Sequence, residues 1–117
     1  MSTERIKKVA KIIVSYVNKK YRVIVVSSAM SGVTNDLVKK SEEISNNFAN
    51  TEYDVLLSAG EQISCSLIAG RLTHLGHISR SMLAWQIPII TDNNYSLAKI
   101  KTVDVKQILK HLKTRWI

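Results

Sequence analysis

The N-terminal residues mix apolar and charged positions with the period of a helix. Within residues 3–19 the apolar side chains recur at the spacing i, i+3, i+4, i+7, i+8 and i+11, and they are Ile6, Val9, Ala10, Ile13, Val14 and Val17. Lysines fall opposite this stripe. Because this spacing places one apolar stripe along one side of a helix, the pattern predicts an amphipathic helix over residues 3–19.

The next apolar segment has a different pattern. Residues 22–27, Arg-Val-Ile-Val-Val-Ser, are β-branched and apolar without alternation. A short run of this kind is typical of a strand that is covered on both faces, as in a parallel sheet.

Two further helices are predicted in the middle of the chain, over residues 34–48 and 54–75. In the second, Asp54 is interpreted as the cap and Gly60 as a break. Gly76 then stands where a helix C-terminus favours glycine. The apolar stripe of this second helix is assigned to Leu67, Ile68, Leu72 and Leu75.

The last third of the chain contains short apolar runs and a basic amphipathic segment. Strands are predicted over residues 78–84, 87–91 and 97–103, and a helix over 104–114. The alternation of helices and strands predicts one α/β domain, with three α/β/α layers and a mainly parallel sheet. The terminal Arg115-Trp116-Ile117 places large apolar residues at the end of the chain, and we expect these 117 residues to be part of a larger protein.

Composition narrows the class of protein. Hydrophobic residues make up 45% and charged residues 22% of the chain, which is ordinary for a globular domain. No apolar run approaches the ~20 residues that span a bilayer, and the N-terminus lacks the apolar core of a signal peptide. Cys65 is the single cysteine. These features favour a cytoplasmic protein without a disulfide or a membrane partner.

A formal net charge of +8 raises the possibility of a negatively charged partner. Aromatic residues are only 6% of the chain and are not interleaved with the basic ones. A stacking platform for bases requires such interleaving. No nucleic acid is therefore expected. No metal site is predicted either, because Gly76 and a helix end separate His74 from His77.

Candidate chemistry begins where the predicted strand 22–27 runs into the next helix. Ser28, Ser31 and Thr34 offer hydroxyls at a helix start, where free N–H groups attract anions. The alternative is that Ser31 or Thr34 only caps the helix, and this loop alone favours that alternative. Further along, Glu61 follows Ala59-Gly60. It either stabilises a helix start or presents its charge to an ammonium group.

Four stretches together resemble an aspartokinase of the amino-acid kinase family. They are residues 4–10, Val25-Val26-Ser27-Ser28-Ala29-Met30-Ser31-Gly32-Val33-Thr34-Asn35-Asp36-Leu37, Leu57-Ser58-Ala59-Gly60-Glu61-Gln62-Ile63-Ser64, and Trp85-Gln86 through Thr91-Asp92. The resemblance implies transfer of the γ-phosphoryl group of ATP, with Mg²⁺, to the side chain of L-aspartate. The product, 4-phospho-L-aspartate, leads to lysine, threonine, methionine and diaminopimelate.

The resemblance also assigns residues. Ser28, Thr34 and Glu61 resemble the family's substrate-binding residues, and residues 1–117 resemble the substrate-binding N-terminal half of the catalytic domain, a partial amino-acid kinase fold. The chain contains no Lys-Phe-Gly-Gly-Thr-Ser or Gly-Arg-Gly-Gly-Ser-Asp type motif. No catalytic residue is therefore identified, and the ATP-binding residues are unknown.

We accordingly expect the chain by itself not to phosphorylate aspartate, and a complementing chain or a homo-oligomer is a possible partner. Two alternatives stay open. One is another member of the same family, such as a uridylate or acetylglutamate kinase. The other is a non-catalytic basic fragment that binds a partner or nucleic acid.

Overall fold

The computed structural model describes residues 2–113, which form four helices and two strands. In chain order these are α1 (Thr3–Asn18), α2 (Val33–Ile44), α3 (Asn50–His74), β1 (Ile89–Thr91), β2 (Ile100–Val103) and α4 (Val105–Lys113). The predicted helix end at residue 114 and the terminal residues 115–117 lie outside the described part of the chain.

Helix α1 confirms the prediction made from its apolar spacing. Ser2 is the N-cap, and its side-chain oxygen accepts a hydrogen bond from the Arg5 N–H at 3.3 Å. On the exposed side, Lys7 Nζ donates to Glu4 Oε1 at 2.7 Å. This hydrogen bond and the lysine charge lower the pKa of Glu4. The opposite face buries Ile6, Ala10 and Ile13.

Helix α3 is the central element, because both α1 and α2 pack on it. The hydrophobic core lies between α1 and the C-terminal half of α3, and it consists of Ile6, Ala10, Ile13, Ile68 and Leu72. Helix α2 meets α3 further towards its N-terminus, at Gly60. Helix α3 thus contacts α1 with its C-terminal half and α2 nearer its N-terminus.

Three features of α3 differ from the prediction. The helix runs unbroken through Gly60 for 25 residues. Asp54 is not its cap, since the helix begins at Asn50 after the N-cap Ala49. Leu67 and Leu75 are partly exposed instead of belonging to the buried stripe. Gly76, with φ +83°, does follow the helix end as predicted.

Strands β1 and β2 form an antiparallel pair, in which Ile89 lies opposite Val103 and Ile90 opposite Thr102. They lie inside two of the predicted strands, 87–91 and 97–103. The Asp104 N–H donates to the Pro88 carbonyl at 3.1 Å, immediately before α4 begins.

The predicted mainly parallel sheet and its three-layer arrangement are not found within residues 2–113. The segments 22–27 and 78–84 carry no strand, and the sheet that is present has two antiparallel strands. A strand requires a neighbouring strand to supply its ladder hydrogen bonds, and the described chain places none beside these segments. Val26 is 94% exposed, so the segment 22–27 is not covered on both faces.

Residues of both segments line one apolar cavity of about 150 Å³. Helix α3 contributes Cys65, Ile68 and Leu72 to its wall, and α4 contributes Ile108 and Leu112. No helix among residues 2–113 is long and apolar enough to cross a membrane.

Candidate functional site

The candidate site is built where residues 27–32, here called the serine loop, lie against the middle of α3. The loop turns into α2 through a hydrogen bond from the Val33 N–H to the Met30 carbonyl at 3.1 Å. Gly32 is the N-cap of α2, with φ +86°, a left-handed conformation that glycine adopts without steric cost. No side chain caps α2. The alternative that Ser31 or Thr34 is only a helix cap is therefore wrong.

Gly60 permits a close approach between the serine loop and α3. A Cβ atom at this position would lie 2.9 Å from the Ala29 Cβ and 3.4 Å from the Val33 Cγ1. The first distance is shorter than carbon atoms tolerate without movement, so any side chain here would push the loop away. The prediction of a helix break at Gly60 is therefore wrong, and this glycine is instead the point at which the serine loop packs on α3.

Ser64 lies one turn after Gly60 and is fully buried. Its Oγ donates to the Ser28 carbonyl at 2.7 Å and lies 3.0 Å from the Glu61 carbonyl. The Ser27 Oγ is 3.4 Å away. Because Ser64 has a single hydroxyl hydrogen, which is directed to a carbonyl, Ser27 is the donor in its contact with Ser64.

Glu61 contacts the same part of the loop through its side chain. Its Oε1 accepts a hydrogen bond from the Ala29 N–H at 3.3 Å. The side chain is exposed, and no other residue in 2–113 donates a hydrogen bond to this carboxylate. A carboxylate held at one oxygen and open at the other can accept a further charged donor, such as an ammonium group.

The three predicted substrate-binding residues are all exposed. Ser28 and Glu61 lie at neighbouring hydrogen bonds, since the Glu61 carboxylate accepts from the Ala29 N–H and the Ser28 carbonyl accepts from the Ser64 hydroxyl. Thr34 lies in the first turn of α2, next to Val33, which packs at Gly60. The three therefore belong to a single region where the serine loop, α2 and α3 meet.

Ser64 is not among the predicted substrate-binding residues, although the sequence contains a signal for its contact with the loop. The buried residues of α3 are Gly60, Ser64, Ile68 and Leu72, which are four positions apart. Extending the Ile68–Leu72 stripe backwards by fours reaches Ser64 and Gly60. A serine and a glycine on the buried face of a helix indicate a close polar contact.

Asp54 also has an unpredicted role. Its two carboxylate oxygens accept hydrogen bonds from the Ser96 N–H at 2.8 Å and from the Ser96 hydroxyl at 3.2 Å. Ser96 lies in the β1–β2 connection with φ +64°. Asp54 thus ties that connection to the N-terminal part of α3.

The described residues form no cluster of metal-ligating side chains. Within residues 2–113, no three side chains of His, Cys, Asp or Glu lie close enough together to hold a metal ion. At the serine loop the structure places one carboxylate, Glu61, beside hydroxyl and backbone groups. We therefore assign no residue of this site to a metal.

Comparisons of this chain with protein families, with individual proteins and with solved structures agree with one another. A profile of the Amino acid kinase family matches residues 1–117. An aspartokinase from Rickettsia felis is 46% identical over 112 residues, which cover 93% of this chain and 28% of that protein. An aspartokinase from Geobacillus stearothermophilus is 39% identical, over 95% of this chain and 27% of that protein.

The crystal structure of an aspartate kinase from Synechocystis is also similar. It matches with a TM-score of 0.83 at 30% identity, over 99% of this chain and 19% of that one. The chain spans less than a third of the length of each of these relatives.

Proposed function

The chain belongs to the amino acid kinase family, and we propose that its 117 residues form the aspartate-binding part of a cytoplasmic aspartokinase catalytic domain. The observation that supports this most is the contact between Glu61 and the serine loop. It holds Glu61 against the Ala29 N–H, next to Ser28, and both Ser28 and Glu61 are residues for which the sequence resemblance implies substrate binding.

The proposed ligand has charges that suit this site. L-Aspartate carries one ammonium group and two carboxylates. The exposed Glu61 carboxylate can pair with the ammonium group. The Ser28 and Thr34 hydroxyls, together with the free N–H groups at the start of α2, can receive a carboxylate. Because the ammonium group and a carboxylate of aspartate would each meet a different part of the site, these contacts would orient the substrate as well as bind it.

The proposed reaction is transfer of the γ-phosphoryl group of ATP to the side-chain carboxylate of aspartate. Such a transfer depends on positioning and on neutralisation of charge more than on covalent chemistry. The residues described here would bind and orient aspartate. ATP with Mg²⁺ is the proposed phosphoryl donor, and no residue of 2–113 is assigned to it. A complementing chain or a second copy is the proposed source of the nucleotide contacts.

The family match and the relatives' names favour this proposal over a basic interaction or nucleic-acid-binding fragment. The pathway assignment follows from the same proposal. The product would enter the synthesis of lysine, threonine, methionine or diaminopimelate.

Titration of the chain with L-aspartate, followed by NMR amide shifts, tests the proposal. We expect saturable shifts at Ser28 and Thr34, and Glu61→Gln should weaken binding about tenfold or more because a charge-assisted contact is lost. Glu52→Gln is the matched control, since Glu52 is an exposed carboxylate in the first turn of the same helix. Equal loss in both variants, or no saturable binding by the unmodified chain, would contradict the proposal.

A coupled assay of ADP release addresses catalysis by the same chain. We expect no aspartate-dependent turnover, because the Lys-Phe-Gly-Gly-Thr-Ser type motif, whose lysine neutralises phosphoryl charge in aspartokinases, does not occur in these 117 residues. Turnover above that of a Glu61→Ala variant would show that this expectation is wrong.

A further inference from the structure

We propose that Ser64 is a positioning residue for aspartate, and that it acts by clamping one peptide bond of the serine loop together with Glu61. The inference rests on the proposed function, and it concerns a residue that would not itself touch the substrate. Ser64 is fully buried, whereas Ser28 and Glu61 are exposed.

The clamp follows from which backbone atoms are bonded. The Ser28 carbonyl, which accepts from the Ser64 hydroxyl at 2.7 Å, and the Ala29 N–H, which donates to Glu61 at 3.3 Å, belong to the same peptide unit. In a trans peptide the C=O and N–H point in opposite directions. Helix α3 therefore holds both ends of the Ser28–Ala29 peptide with two side chains that are one helical turn apart.

This arrangement fixes the two groups that would meet the substrate. The orientation of the peptide determines where the Ser28 side chain leaves the loop, and its N–H holds one oxygen of Glu61. Loss of the Ser64 hydroxyl would leave the Ser28 carbonyl without this donor, and the peptide could then rotate away from Glu61. Ser64 would thus affect aspartate binding through Ser28 and Glu61.

Gly60 supports the same interpretation. The peptide can be reached by short side chains such as serine only because the loop lies within van der Waals distance of the α3 backbone. One turn of α3 therefore supplies the space at Gly60, the acceptor at Glu61 and the donor at Ser64.

Ser64→Ala tests the proposal, with Ser66→Ala as the matched control. Ser66 lies on the same helix and its hydroxyl donates to the Ile63 carbonyl three residues back at 2.9 Å, but it is exposed and has no bond to the loop. In the absence of ligand, we expect Ser64→Ala to move the Ala29 amide resonance and to speed its hydrogen exchange about tenfold. Ser66→Ala should leave both unchanged.

In the presence of L-aspartate, the Kd of Ser64→Ala should rise about five- to tenfold, and that of Ser66→Ala should change less than twofold. A double-mutant cycle with Glu61→Gln separates positioning from general destabilisation. If Ser64 acts in part through Glu61, Ser64→Ala should cause a smaller loss of affinity in the Glu61→Gln background than in the unmodified chain. A purely structural effect would instead cause the same loss in both backgrounds.

Each outcome decides a separate point. If the unmodified chain binds aspartate and Ser64→Ala binds equally well, the positioning proposal is overturned and the proposed function stands. If the unmodified chain does not bind aspartate, both are overturned. If Ser64→Ala does not fold, Ser64→Cys replaces it, since a thiol fills the space but donates weakly. It should show the same faster exchange at Ala29, and unchanged exchange would contradict the clamp.

Discussion

The two halves of the buried stripe on α3 make contacts of opposite kinds. Ile68 and Leu72 fill space against α1 with large apolar side chains. Gly60 and Ser64 lie on the same side of the same helix, but they meet the serine loop with almost no side-chain volume and with one hydrogen bond, from Ser64, to its backbone. At one end of its stripe, α3 thus packs large side chains against α1. At the other end its backbone lies close to the serine loop.

The difference shows how a helix can support both a core and a site. Apolar packing against α1 is non-directional and scales with the area removed from water. The contact with the loop is directional, because it depends on one donor, one acceptor and one missing Cβ. The first contact stabilises the fold, and the second specifies where individual atoms lie.

The largest effect is expected at the apolar end of the stripe. Leu72 is 1% exposed, so Leu72→Ala should lower the free energy of unfolding by about 2–5 kcal/mol, because it removes buried methyl groups and leaves a cavity. Leu67→Ala is the control on the same helix, since Leu67 is 41% exposed. Urea unfolding measures both, and similar losses would mean that the stripe has been assigned wrongly.

A smaller effect, of opposite sign in its control, is expected at the loop end. Gly60→Ala should destabilise the protein by about 1 kcal/mol, because the strain of a carbon placed 2.9 Å from Ala29 exceeds the helix propensity gained. In Gly70→Ala the new Cβ meets nothing within 4 Å, so that variant should gain about 0.5–1 kcal/mol. Thermal unfolding compares them, and stabilisation by both would rule out the close approach.

The smallest effect is expected at Asp54, which lies outside the stripe and holds Ser96. Asp54→Ala should cost about 1 kcal/mol or less, since the two hydrogen bonds are exposed. The clearer readout is faster hydrogen exchange at the Ser96 amide, with Glu52→Ala as the control on the same helix. Unchanged exchange at Ser96 would show that Asp54 does not anchor the β1–β2 connection.

Much of the helical structure could be predicted from local patterns. The apolar spacing of α1, the glycine after α3 and the basic amphipathic α4 are local signals, and the structure has helices at each of these places. The start of α3 was predicted four residues too late, because Asp54 has the composition of a cap. Its carboxylate instead accepts hydrogen bonds from Ser96, 42 residues away.

The strands were predicted less well for a physical reason. An apolar β-branched run such as residues 22–27 indicates a preference for strand, but pairing needs a neighbour that the run does not encode. Only the two segments that meet each other, β1 and β2, form ladder hydrogen bonds in the part of the chain described here.

The candidates for substrate contact are evident from the order of residues alone. Ser28, Thr34 and Glu61 were identified from hydroxyls at a loop–helix junction, a carboxylate after Ala-Gly, and a family resemblance. How they are held depends on the packed fold, because the Ser28–Ala29 peptide is bonded by side chains more than 30 residues away along the chain. Local patterns report helix periods and caps, whereas a contact between distant residues exists only after the helices have packed.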